Sequence, residues 1–244
     1  MRTFILTLDC DWAPDFVLED VLARIRGRGA HATLFVTHPS PAVDRAKQLS
    51  GLELGWHPNF LPGSTQGRDA GEITAYLRYI APEARSMRTH DLFQSTSLLR
   101  RFLPLAATLR YDASLFLPGQ PAVQPFDFHL GGGLKLRRFP FVWEDDVHLL
   151  SGGRGDYRLE DLPGEGLCIV NFHPIHVYLN TADFEVYERM RSLGPMPALQ
   201  KSDVDPFRQT GDGIGGIFDR ALEALDFRLN LREYAEGPGA APPG

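Results

Sequence analysis

Strand-like and helix-like runs alternate along this chain, and that alternation is its strongest constraint on fold. Phe4-Ile5-Leu6-Thr7-Leu8 is an apolar run ending on Asp9-Cys10-Asp11-Trp12. Pro14 and Asp15 then open a helix, with Phe16, Val17, Val21, Leu22 and Ile25 at helical spacing and Gly27 and Gly29 closing it. Ala32–Thr37 reads as a second strand, 41–50 as a helix, and Leu52–His57 as a third strand. A helix over 70–81, a short strand over 85–90, a helix near 95–104 and a strand near 107–111 continue the series. Residues 113–136, rich in Pro, Gly and Phe, read mainly as loop. An extended run from Leu136 to Trp143 follows, then the strand Gly166–His173 and helices at 183–192 and 213–226. Such a series implies a mostly parallel sheet with helical crossovers. At 244 residues, one α/β barrel accounts for the chain. We expect a single domain over 1–236, then a frayed Pro-Gly-Ala tail at 237–244.

The polar residues say where such a barrel would act. Asp9 and Asp11, His57, Arg88 and His90, Glu144 to Asp146, and His173 all fall at the C-terminal ends of strands. In a parallel barrel those ends share one mouth, where the loops after the strands build active sites. In a strand, residues two apart face the same side, so Asp9 and Asp11 are expected to aim at one place. Two carboxylates held close call for a cation or a shared proton between them.

Charge and cysteine usage exclude several classes. A net charge of −6 with scattered basic residues argues against nucleic acid as the partner. Cys10 and Cys168 lie in apolar runs and read as buried small residues, not as a disulfide framework or zinc knuckle. No run reaches the apolar length of a membrane span, and the chain enters a strand without a signal-like segment. A cytoplasmic protein is expected.

The motifs at the strand ends resemble those of the polysaccharide deacetylase family, the NodB-type carbohydrate esterases, and particularly its WbmS-like branch. The resemblance covers about residues 3–180. The family's opening Thr-Phe-Asp-Asp motif is matched by Thr7-Leu8-Asp9-Cys10-Asp11, with one residue between the acids. Ala32-Thr33-Leu34-Phe35-Val36 resembles its second strand. Glu53-Leu54-Gly55-Trp56-His57 follows its Glu-Ile-Gly-x-His run. Arg88 stands where the family has an arginine after a strand, and Asn171-Phe172-His173 where it has a late Leu-x-His-type motif.

The resemblance implies a distorted (β/α)7-type barrel that hydrolyses an N-acetyl or related acyl group on a sugar in surface-polysaccharide biosynthesis, using a divalent metal, zinc by expectation. Asp9 would be the general base, oriented by Arg88, and His173 the general acid. One acid of Glu144-Asp145-Asp146 would support His173 or Arg88. Asp11 and His57 would bind the metal. The family usually supplies a second histidine four residues after the first, but Leu61 stands there in this chain. The third ligand is therefore expected from His90, with His176 and then Asn59 as alternatives. Asn59, Trp143, Asp145 and His176 are the expected substrate contacts; an aromatic face such as that of Trp143 stacks on sugar rings. A cytoplasmic location implies a nucleotide-linked or lipid-linked sugar precursor. Two further readings stand beside this one: a non-catalytic carbohydrate-binding member of the fold, and an amide hydrolase with a non-sugar substrate.

Overall fold

The computed structural model describes residues 2–120, 123–162 and 164–237; the tail expected to fray, apart from Gly237, lies outside them. Within these residues nine strands form one sheet: β1 (Arg2–Asp9), β2 (Ala32–Val36), β3 (Leu52–Trp56), β4 (Ser86–Met87), β5 (Tyr111–Asp112), β6 (Phe126–Gly131), β7 (Leu134–Arg138), β8 (Trp143–Glu144) and β9 (Gly166–Phe172). Their order is β6-β7-β5-β4-β3-β2-β1-β9-β8, parallel throughout except for the β6–β7 hairpin. Among the described residues, ten α-helices accompany them: α1 (Asp15–Gly27), α2 (Pro41–Ala46), α3 (Ala70–Ile80), α4 (Thr96–Phe102), α5 (Asp145–Leu150), α6 (Pro174–Leu179), α7 (Phe184–Arg191), α8 (Lys201–Val204), α9 (Ile214–Ala224) and α10 (Leu231–Glu236). Among the described residues, no helix is long and apolar enough to cross a membrane.

The sheet curls until one run of chain joins its two ends. Residues 134–144 pair with β5 along their first part and with β9 along their last. Between these, Phe139 N–H donates to Asp112 O (2.8 Å), Phe141 N–H to Leu115 O (2.9 Å) and Val142 N–H to Ile169 O (3.0 Å). With β7 and β8 as two stretches of that run, and β6 as an added hairpin strand, the ring is β1 to β5, the 134–144 run and β9. This is the distorted barrel of seven staves that the family motifs imply.

Strand alternation divides the core in two. Phe4, Leu6, Leu8, Cys10, Leu34, Val36, Trp56, Met87, Val170 and Phe172 point outward into a layer shared with the helices. Ile5, Phe35, Ala113, Phe139, Phe141, Leu167 and Ile169 point inward, where Leu231 of α10 joins them. Gly55 makes this interior possible: an added Cβ would stand 2.6 Å from the Phe35 ring and 2.7 Å from Ser86 Oγ. α1 shows how the outer layer is held. Val17, Leu18, Val21, Leu22 and Ile25 form its buried face, and Asp15 at its start and Arg24 and Arg26 in its last turn complement the helix dipole. Each such side chain contributes roughly 1.5–3 kcal/mol of burial.

α10 closes the floor of the barrel. Leu231 N–H donates to Thr33 Oγ1 (3.0 Å) and Arg232 N–H to Glu53 Oε2 (3.0 Å). Glu53 also accepts from Thr33 Oγ1 (2.8 Å) and Ser86 Oγ (2.7 Å). Burial pushes its carboxyl pKa up against those donors.

The structure departs from the sequence reading in several segments, among them the short helices α5, α6, α8 and α10. Much of 113–136, expected as loop, forms the β6–β7 hairpin, where Phe126, Phe128 and Leu130 alternate with polar residues. Its turn is Gly131-Gly132-Gly133, at φ of 80°, 62° and 79°. β4 and β5 are only two residues each, because the chain leaves the sheet quickly to build the mouth.

Candidate active site

Inward-facing positions at the C-terminal strand ends bring Asp9 (β1), His57 (after β3) and His173 (after β9) to the wall of one open cavity of about 1070 Å³, which Asp11 and His90 also line, while Arg88 (after β4) and Asn171 (β9) lie buried behind Asp9. Asp11 arrives by another route than the one expected. β1 ends at Asp9, and Asp11 and Trp12 turn the chain at φ of 40° and 56°, a conformation costly for residues with a side chain. Trp12 N–H donates to Thr37 Oγ1 (2.9 Å), which pins the turn. A similar turn follows His90, with Asp91 at 53° and Leu92 at 50°. Backbone strain is thus concentrated on the two loops that carry Asp11 and His90.

Asp11, His57 and His90 form the first cluster. Asp11 Oδ1 lies 3.0 Å from His57 Nε2 and 3.2 Å from His90 Nδ1, and those two nitrogens are 3.4 Å apart. His57 Nδ1 sits 2.8 Å from the Arg88 carbonyl, so it carries the proton and leaves Nε2 a lone pair toward the cavity. Asp11 Oδ1 is buried and accepts no hydrogen bond of good geometry. A tetrahedral cation with bonds of about 2.0–2.1 Å holds its ligand atoms about 3.3–3.4 Å apart. The three atoms fit such a site. Burial pushes the Asp11 carboxyl up, but His57 and His90 outweigh it and hold it well below the usual carboxylate range. Burial pulls His90 down, and Asp11 more than restores it.

Asp9 belongs to a second network. Arg88 Nη1 donates to Asp9 Oδ1 (3.1 Å), and Asn171 Nδ2 donates to Asp9 Oδ2 (2.9 Å) and to Glu144 Oε1 (3.0 Å). Arg88 Nη1 also reaches Thr7 Oγ1 (3.0 Å) and Asn171 Oδ1. Its guanidinium is sandwiched between the rings of Phe35 (4.8 Å) and Phe141 (4.3 Å), and Nε donates to Ala113 O (2.9 Å). A cation with no exposure is tolerated only with such pairing. Asp9, Glu144 and His173 also converge closely enough to suggest a metal site, but the Arg88 charge already occupies that place electrostatically.

His173 is held by Asp145. Asp145 Oδ1 accepts from His173 Nδ1 (2.7 Å) and Oδ2 from His173 N–H (2.7 Å), which turns Nε2 toward Asp11 Oδ2, 3.7 Å away. Burial disfavours the imidazolium, yet Asp145 overcomes it and raises His173 well above its ordinary value. At neutral pH this histidine therefore carries a proton to give.

The expected substrate contacts fare differently. Asn59 and His176 lie on the cavity wall. Asn59 Oδ1 accepts from Leu61 N–H (2.9 Å), which shapes the loop after β3. Burial and the nearby His173 charge drive His176 down to about 3, so it stays neutral; its Nδ1 lies 3.1 Å from Thr181 Oγ1. Neither joins the converging donors around Asp11. Asp145 has no exposed surface and reaches the site only through His173. Trp143 faces outward, because Glu144, its neighbour in β8, faces in. It packs on Phe172 (4.9 Å) and Tyr157 (6.5 Å), away from the cavity. The indole at the site is Trp12, edge-on to His90 at 5.1 Å. Sequence reading overlooked Asn171 and Thr7 as parts of the site, although Asn171 shares its strand face with His173 and Thr7 shares one with Asp9.

The sequence matches the family described as WbmS-like polysaccharide deacetylase over residues 6–191. No curated protein matches the chain. A crystal structure of the Bordetella bronchiseptica protein WbmS, assigned to the polysaccharide deacetylases and to O-antigen biosynthesis, is 34% identical. The alignment spans 91% of this chain and 90% of that one, with a TM-score of 0.79. The strand-end residues, the curled sheet and this match agree: the chain belongs to the WbmS-like polysaccharide deacetylases.

Proposed function

We propose that this protein is a divalent-metal-dependent hydrolase that removes an N-acetyl or related acyl group from a sugar in surface-polysaccharide biosynthesis. One observation carries the reading. A three-donor cluster, a carboxylate held by an arginine and an amide, and a histidine held by a buried acid all face one cavity. The Bordetella relative's assignment to O-antigen biosynthesis supports the substrate class. The reading places the enzyme in the cytoplasm, acting on a nucleotide-linked or lipid-linked precursor.

Asp11, His57 and His90 would hold the cation, zinc by expectation; when bound, it supplies Lewis acidity to a carbonyl oxygen and lowers the pKa of water. Asp9 takes the proton of the water that attacks the acyl carbon, while Arg88 and Asn171 fix both its oxygens. As the C–N bond breaks, His173 gives its Nε2 proton to the departing amine, and Asp145 stabilises and orients the ring. The products are an amino sugar and a carboxylic acid that keeps the second proton of the water and loses it to solvent at neutral pH; the proton on Asp9 and the one missing from His173 balance.

A leucine at position 61, where the family has its second motif histidine, would favour a non-catalytic member; His90 Nδ1, 3.2 Å from Asp11 Oδ1 and 3.4 Å from His57 Nε2, supports the catalytic reading instead. The test is metal analysis before and after chelation, coupled to acetate release from N-acetylated amino sugars. Stoichiometric metal with metal-dependent release supports the reading. Metal-free protein releasing acetate at the same rate contradicts it.

A further inference from the structure

Glu144 is left without a task by this mechanism, yet it forms part of the cavity wall. It is 8% exposed. Its Oε1 accepts from Asn171 Nδ2, the same amide that holds Asp9, and no other hydrogen bond reaches the carboxyl among the described residues. The second oxygen therefore has only the cavity's occupant as a partner. Ligand atoms of Asp9, Glu144 and His173 lie within 4.8 Å of one another, so an ionised Glu144 would crowd a second negative charge against Asp9 in a poorly solvated place.

We propose that Glu144 touches the substrate in its neutral form, with Oε1 on Asn171 and Oε2–H donating a hydrogen bond to the sugar bound over Asp9. The proposal rests on the hydrolase reading and adds a specificity contact to it. The charges around the carboxyl agree: burial, with repulsion from Asp146 and Asp9, outweighs attraction from His173 and Arg88, and the group is pushed up to about 8. A neutral acid beside an ionised base gives one site both a proton donor and a proton acceptor.

Glu144→Gln is the informative variant, because a glutamine keeps an acceptor for Asn171 and a donor toward the cavity. Glu144→Ala should raise KM for an N-acetylated amino sugar by about tenfold, the loss of one substrate hydrogen bond. Above pH 8 the wild type should show a rise in KM; Glu144→Gln should lack that rise and recover most of the loss seen in Glu144→Ala. Independently of turnover, the infrared spectrum of wild-type protein at pH 6 should contain a neutral-carboxyl C=O band that is absent from Glu144→Gln and fades above pH 8. No such band, or a Glu144→Gln enzyme as inactive as Asp9→Asn, overturns the proposal. If the wild type releases no acetate, the hydrolase reading fails while the infrared band still reports on Glu144.

Discussion

The floor and the mouth of this barrel each bury a carboxylate on an inward-facing strand position, and they treat it in opposite ways. Glu53 at the floor accepts from Thr33, Ser86 and the backbone of Arg232, under a lid made by α10. At the mouth, Asp11 Oδ1 lies among imidazole nitrogens without a good hydrogen bond, and Asp9 faces an open cavity. Glu53 and Asp9 share burial and a carboxylate; what differs is how far protein donors use up the lone pairs and whether the group faces a cavity. A fully satisfied carboxylate holds the wall together, and one left short is available to a cation, water or substrate.

Substitutions can break this contrast, beginning with the largest effect. Asp9→Asn should reduce kcat by at least about 10³-fold, the scale of a lost general base, with metal content unchanged by elemental analysis. Next, Asp11→Ala or His57→Ala should drop bound metal from stoichiometric to trace levels and abolish the rise in Tm that added metal gives the wild type. Asp145→Asn should cost about 10²-fold in kcat. Because Asp145 raises His173, its removal lowers the pKa of that acid. The alkaline limb of the pH–rate profile should then move to lower pH.

The smallest effect is expected at the floor, where Glu53→Gln should leave kcat and metal binding untouched. Its signature is in stability. Burial raises the folded-state pKa of Glu53 above its ordinary value, so the wild type's contribution from this group is complete below the unfolded-state pKa. It is lost as pH rises through the folded-state value. Denaturant titrations should therefore show the wild type losing stability relative to Glu53→Gln over that rise. A loss of turnover in Glu53→Gln would end the distinction between the two ends.

Much of this was legible in the sequence because alternation and strand ends are local facts. The inward placement of Asp9, His57, Arg88 and His173 follows from parity and position, and that of His90 from its distance from Arg88. The seven-stave ring was less legible, since its closing run from Leu134 to Glu144 changes partners midway and the changeover depends on residues far apart in the chain. Asp11 reaches the cluster through a strained turn that no strand pattern encodes. Trp143 was misplaced although the alternation that aims Glu144 inward also aims its neighbour outward. Asn171 carries no charge to attract notice, yet its amide joins Asp9, Glu144 and Arg88; only the folded geometry reveals a residue that works by connecting others.

On the proposed mechanism the mouth separates metal binding from proton transfer, with Asp11 serving the first and Asp9 the second. The most direct measurement is acetate release from an N-acetylated amino sugar by wild type and Asp9→Asn, with metal content determined on the same samples. Equal, stoichiometric metal in both and release by the wild type alone are expected. Wild-type rates from Asp9→Asn, or loss of its metal, would contradict it.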